Sequence, residues 1–233
     1  TQLGIYGACF KIAVVLVMFT QAFRYAYEPF IFAKNKDDDS KKSYSEAMKY
    51  FIIFALLIFL AVMFYIDIFK HIVPASYYPG LRVVPIVMLG ELFFGIYFNL
   101  SFWYKLIDQT KWGAYFSTIG CVATILIIVL FAPTYGYMAC AWASFVSNLV
   151  MMLLSYFIGQ KKFPIQYDLK SVITYSVLAT VFYLAGMLPT IESEILRLGY
   201  RTLLLCLFVG IVVKRDLPLG ELPYVGRYFA KKK

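Results

Sequence analysis

The chain contains a single histidine, His71. It therefore offers neither a His-based metal site nor a Ser–His–Asp catalytic set. Its four cysteines, Cys9, Cys121, Cys140 and Cys206, all fall inside hydrophobic segments and show neither CxxC nor metal-ligand spacing. They read as small core residues. No GxGxxG or Walker loop occurs, and the middle of the last hydrophobic segment has no lysine for a retinal-type Schiff base. No enzyme signature and no cofactor signature follow. Charge is scarce too: Asp, Glu, Lys and Arg make up 15% of the 233 residues, against about 25% in soluble domains.

What the sequence has in excess is apolar surface, at 62% hydrophobic and 19% aromatic residues and a mean hydropathy of +0.74. Roughly 20 apolar residues in a helix cross a bilayer. The runs at 4–33, 44–70, 81–106, 113–131, 137–158, 171–188 and 198–214 therefore predict an all-α integral membrane protein of about seven transmembrane helices. The first run is long enough to span with tilt. The mixed-charge stretch KNKDDDSKK from Lys34 to Lys42 must lie outside the membrane, and APTYG before Tyr137 reads as a tight turn. No basic n-region and cleavage site precedes the first run, and the start at Thr1 reads as a truncation.

The net charge of +9 is distributed by side, so the bilayer rather than nucleic acid is the partner it implies. Lys34, Lys36, Lys41, Lys42 and Lys49, then Lys105 and Lys111, Lys161, Lys162 and Lys170, and Lys214, Arg215, Arg227 and Lys231 to Lys233 fall on one side. Only Lys70, Arg82, Arg197 and Arg201 fall on the other. The positive-inside rule puts the first side in the cytoplasm, with Thr1 outside and Lys233 inside.

Polar residues within the spans carry the functional signal, because a charge near mid-membrane costs on the order of 2.5 to 3.5 kcal/mol. On the first helix Gln21, Arg24, Tyr25 and Glu28 share one face, with Lys11 at its edge. This stripe either lines a protein or water surface, or it is a local Arg24–Glu28 pair four residues apart. Asp67 and Lys70, beside His71, read as an interfacial pair or a transport site. In the third span Glu91, near the midplane, is followed by Gly95 and Asn99 at four-residue steps on one face. Glu91 is either a proton or cation site or a structural partner of Arg24. Trp103 and Tyr104 fit an interfacial aromatic belt. Gly113, Ser117 and Cys121 in the fourth span, and Ala139, Ala143 and Ser147 in the fifth, have small-xxx-small spacing, which predicts close helix contact. Asn148 predicts an interhelical hydrogen bond. The sixth and seventh spans, with few polar groups, read as peripheral.

The stretches LGIYGACFKIAVVLVMFTQAFRYAYEPFIFAK, NLSFWYKLIDQTKWGAYFSTIGC and YGYMACAWASFVSNLVMMLLSYFIGQKKFPIQYDLK resemble bacterial polysaccharide biosynthesis proteins. These are the O-antigen and capsule flippases of the multidrug/oligosaccharidyl-lipid/polysaccharide (MATE-like) exporter superfamily. The resemblance covers most of residues 3 to 170. It implies that the seven spans correspond to helices 8 to 14 of a two-lobe flippase. Residues 1–170 would then be a carboxyl-terminal lobe lacking its first helix, residues 171–215 two additional peripheral helices, and residues 216–233 a basic cytoplasmic tail. It further implies transport of a polyprenyl-pyrophosphate-linked oligosaccharide across the bacterial inner membrane by alternating access with an amino-terminal lobe, in company with polysaccharide polymerase machinery. By position, Arg24, Lys11, Gln21, Tyr25 and Asn99 would line the substrate cavity, with Tyr25 and Tyr27 stacking on sugars. Glu28, Glu91 and Asp67 would be candidates for H+ or Na+ coupling, and no bound cofactor is implied.

Two other classes share these features. A seven-span receptor or sensor has the same outside-to-inside topology. A drug or cation exporter of the same fold would want a net acidic cavity, whereas the polar stripe here is mixed or basic.

Overall fold

Within hydrocarbon every backbone N–H and C=O must be paired internally, so apolar runs of this length fold as helices. The computed structural model describes residues 2–34, 40–189 and 192–216, and those residues form a helical bundle. Its helices are α1 (Gln2–Lys34), α2 (Ser40–Phe64), α3 (Ile66–Phe69), α4 (Val84–Leu100), α5 (Phe102–Leu106), α6 (Lys111–Tyr135), α7 (Tyr137–Lys162), α8 (Leu169–Met187) and α9 (Glu194–Asp216). Seven segments are long and apolar enough to cross a membrane: Gly4–Ala33, Ser40–Phe64, Ala75–Leu106, Lys111–Tyr135, Tyr137–Lys162, Leu169–Met187 and Glu194–Asp216. They coincide with the seven expected spans. The middle of the KNKDDDSKK turn, the basic tail after Asp216 and both chain ends lie outside the described residues.

The boundaries differ where proline and glycine intervene. The second span stops at Phe64 instead of Lys70, and short helical turns (Ile66–Phe69, Lys70–Ile72) lead to Pro74. The third span begins earlier, with a 3-10 segment from Ala75 to Val83 that contains Pro79. Gly80 lies there against Ile5 and Cys9 of α1, with no room for a Cβ. The turn expected over APTYG shrinks to one residue. α6 continues through Pro133 to Tyr135, and the chain reverses at Gly136, whose φ of +55° is a left-handed backbone that suits glycine.

α4 is the central element. It packs along α7 on one side and against α1 and α2 on the other, while α6 packs mainly on α7, and α8 and α9 dock on α2. The core holds Leu16 of α1, Phe51, Leu60 and Phe64 of α2, Val87 and Met88 of α4, and Tyr175 of α8. Small residues set the closest approaches. A Cβ at Gly90 would lie 3.2 Å from the Phe145 Cα, and Asn148 Nδ2 donates to the Gly90 carbonyl at 3.1 Å. The expected contact line on α6 is corrected. Ser117 and Cys121 are exposed, and the buried positions are Phe116 and Gly120, whose carbonyl accepts from Ser147 Oγ at 2.8 Å. Nor are the cysteines uniformly core residues, since Cys9 is buried but Cys121 and Cys206 are exposed. Trp103 and Tyr104, expected in an interfacial belt, are buried instead with Phe116 and Met151. Trp103 Nε1 donates to Ser155 Oγ at 3.2 Å.

Candidate functional site

α1 presents an open face. Gly4, Gly7, Lys11, Val15, Met18, Ala22, Tyr25 and Pro29 are exposed at three- and four-residue steps, a single helical stripe. Met18 is 66% and Tyr25 76% exposed. The opposite side of the helix, including Cys9, Ile12, Ala13, Leu16 and Thr20, is buried. Lys11 and Thr20 are nine residues apart, which is about 180° around the helix, so Lys11 points away from α4.

The sequence stripe therefore splits. Lys11 and Tyr25 stay on the open face, whereas Gln21, Arg24 and Glu28 sit half-buried on its shoulder. Glu28 accepts a hydrogen bond from Lys105 Nζ at 2.9 Å through Oε1, and its Oε2 lies 3.6 Å from Arg24 Nε. The second contact is too long for a hydrogen bond. The Arg24 guanidinium lies 4.7 Å from the Phe98 ring centre, and Lys105 Nζ lies 4.9 Å from both Phe98 and Phe102. Two cations thus share one carboxylate over an aromatic floor, which leaves one positive charge in excess. The side chains of Arg24, Glu28 and Lys105 retain 42%, 32% and 23% exposure, so an aqueous anion can reach the group. The Arg24–Glu28 pair was readable in the sequence. Lys105 was not, because it sits beyond the Ser101 joint in α5 and is brought beside α1 only by the parallel packing of α1 with α4 and α5.

The other positions fall elsewhere. Asn99 is 7% exposed and does not reach the open face. Its Nδ2 donates to the Gly95 carbonyl at 2.9 Å, its Oδ1 is buried without a hydrogen-bond partner, and so is Thr20 Oγ1 across from Gly95. Tyr27, expected to meet sugars, is 7% exposed and packs on Phe23 and, edge-on, on Phe102. Glu91 is half-buried and has no ion-pair or hydrogen-bond partner among the described residues; the structural pairing with Arg24 is not formed. Asp67 is bound by cations. Its Oδ2 lies 2.9 Å from Arg201 Nη1 and 3.1 Å from Arg197 Nε, and its Oδ1 lies 3.6 Å from Lys70 Nζ.

Arg201 anchors the last span. It is 6% exposed, donates to the carbonyls of Phe64 and Gly186 at 3.1 Å, and pins α9 to α2 and α8. At the other end of α9, Asp216 accepts from Lys49 Nζ at 2.9 Å and from the Tyr175 hydroxyl. No group of three or more His, Cys, Asp and Glu side chains suited to a metal occurs among the described residues.

No family model matches the chain, and no curated protein matches it. Among solved structures, the lipid II flippase MurJ in an inward closed conformation matches with a TM-score of 0.64 over 91% of this chain, at 16% sequence identity. The match spans 45% of the MurJ chain, so this chain covers less than half the length of that neighbour. It has the fold of part of a flippase and is a multi-pass membrane protein.

Proposed function

We propose that this chain is one lobe of a membrane transporter that flips a polyprenyl-diphosphate-linked oligosaccharide by alternating access against a second lobe facing the open side of α1. The observation that carries the reading is the pairing of Arg24 and Lys105 around the single carboxylate of Glu28 at the shoulder of that open face. A diphosphate needs fixed positive charge when it leaves bulk water. The Arg24 guanidinium offers a fork that matches phosphate oxygens, and Lys105 adds a compact second cation. Tyr25 adjoins the group on the same surface and Lys11 extends that surface toward the opposite end of α1, where polar sugar contacts would lie, and Gln21 flanks the path. MurJ, by its name, flips lipid II, and the shared fold supports a lipid-linked substrate. The stretches that resemble polysaccharide flippases point to O-antigen, capsule or exopolysaccharide precursors in the bacterial inner membrane. In that frame the start of the chain lies outside, its end lies in the cytoplasm, and polymerase machinery is the downstream partner.

In this reading the coupling ion belongs to Glu91. Asp67 is already engaged by three cations, and Glu28 serves as counter-ion to Arg24 and Lys105. A half-buried carboxylate with no second acidic ligand nearby suits a proton better than a sodium ion, which needs several oxygens.

Export of polymer in cells that depend on this protein tests the reading. Arg24→Ala and Lys105→Ala are each expected to reduce export by at least tenfold at unchanged membrane abundance, the scale of one charge-assisted contact, about 1.5 to 3 kcal/mol. Full export by the doubly substituted protein would remove the proposal.

A further inference from the structure

A second polar site lies at the basic end of the bundle. A cavity of about 650 Å³ opens between the first two turns of α2 and the extended connection from α7 to α8. That volume falls within the roughly 300 to 1,000 Å³ of ligand pockets. Lys41, Lys42 and Glu46 face it from α2, and Asp168 faces it from the start of α8. Its frame is fixed. Ser45 Oγ donates to the Gln166 carbonyl at 2.8 Å, and Lys49, on the inner wall, is held by Asp216 at 2.9 Å. Lys41 rests at the rim over the Phe163 ring, 4.5 Å from its centre.

Charges of both signs in this cavity stay apart. Lys42 and Glu46 are four residues apart on one helix yet form no ion pair, and none joins Lys41 or Lys42 to Asp168 among the described residues. A lysine preceding a glutamate by four is the weaker order for a helical pair. Asp168 accepts from the Ser171 N–H at 3.1 Å, and hydrogen bonds from Ser171 hold its carboxyl below the usual carboxylate range. Lys41, Lys42, Glu46 and Asp168 therefore face one open space with no ion pair among them, while Lys49 on the inner wall and Arg215 act on Asp168 only through space. The apolar surface of the bundle starts about two turns deeper along α2, where Phe54 is 44% exposed, and Val209 of the adjoining α9 is 37% exposed.

We propose that this cavity binds the headgroup of a zwitterionic phospholipid with a primary amine, phosphatidylethanolamine, its phosphate on Lys41 and Lys42 and its ammonium on Glu46 and Asp168. The acyl chains lie along the exposed apolar flank of α2 and α9. A purely anionic headgroup leaves the two carboxylates without a partner, and a trimethylated amine has no N–H to give them. The site is independent of the transport reading.

Native mass spectrometry of the full chain, purified in detergent and offered equal amounts of phosphatidylethanolamine, phosphatidylcholine and phosphatidylglycerol, tests it. Phosphatidylethanolamine is expected to be retained over each of the others by about fivefold, the worth of one net hydrogen bond. Glu46→Gln should lose the preference over phosphatidylglycerol, while Lys41→Gln with Lys42→Gln should lower retention of all three. These side chains are exposed, so the fold tolerates the changes. Excess soluble phosphoethanolamine should not displace the lipid, because it lacks the acyl contacts; displacement would mean a site for free phosphoamines. Equal retention of the three lipids, preference for phosphatidylglycerol, or retention unaffected by the substitutions would each overturn the proposal.

Discussion

Glu28 shows how one side chain can set the behaviour of a site. It neutralises half of the Arg24–Lys105 pair, so in the transport proposed above an incoming diphosphate would compete with it for both cations. Glu28→Gln is therefore expected to tighten binding of geranyl diphosphate by about tenfold, or about 1.4 kcal/mol, while slowing export, because a substrate held too firmly is not released. Titration calorimetry on the purified chain checks the first half; weaker binding in the variant would refute the competition. Arg201 makes a different kind of contribution. It is buried among the carbonyls of Phe64 and Gly186 and the carboxylate of Asp67. Arg201→Met takes a donor from the Phe64 and Gly186 carbonyls and one of three cations from Asp67, which keeps Arg197 and Lys70, and should cost about 1 to 3 kcal/mol. A thermal-shift assay in detergent reads this as a clear drop in Tm, and an unchanged Tm would contradict the pinning role. The sequence marks Glu28 through its spacing from Arg24, but it hides Arg201, which lies near the start of its span and resembles an interfacial residue until its partners come from two other helices.

At the scale of elements, the approach of α4 to α7 depends on Gly90. A Cβ there would meet the Phe145 backbone at 3.2 to 3.3 Å, which cannot yield as a flexible side chain does. Gly90→Ala should thus widen the crossing and cost about 1 to 3 kcal/mol; retention of wild-type Tm would argue against a tight crossing. The start of α8 depends on Asp168 as its N-cap. Asp168→Ala should cost about 1 kcal/mol. Because the folded carboxyl titrates below its usual range, this contribution is fully present above the unfolded value and is lost as pH falls through the folded one. Span number and order were legible because long apolar runs leave the backbone no alternative to helix. Span ends were not, since the stop at Phe64 and the 3-10 segment after Pro74 arise where Gly80 packs on α1. The small-residue stripe on α6 misled for a related reason: spacing identifies a face, but Phe116 and Gly120, not Ser117 and Cys121, meet α7.

At the scale of the molecule, the buried interior centres on α4, while α6 and one whole side of α1 remain open. The exposed side of α6 is aliphatic, including Val122, Ile125, Leu126 and Val129, as a lipid-facing surface should be. The open side of α1 is different, since it carries Lys11, small residues and, on its shoulder, the Arg24–Glu28–Lys105 group. A lysine facing hydrocarbon is costly, so that side belongs against protein or water. MurJ carries additional chain beyond the shared fold, the match spanning 45% of its length. A flippase lobe of this kind must take a diphosphate on this surface. Titration of the purified chain with geranyl diphosphate, alongside geraniol, tests that most directly. Binding of the diphosphate but not the alcohol is expected, weakened at least about tenfold by Arg24→Ala or Lys105→Ala. Equal binding of both compounds, or diphosphate binding indifferent to both substitutions, would contradict it.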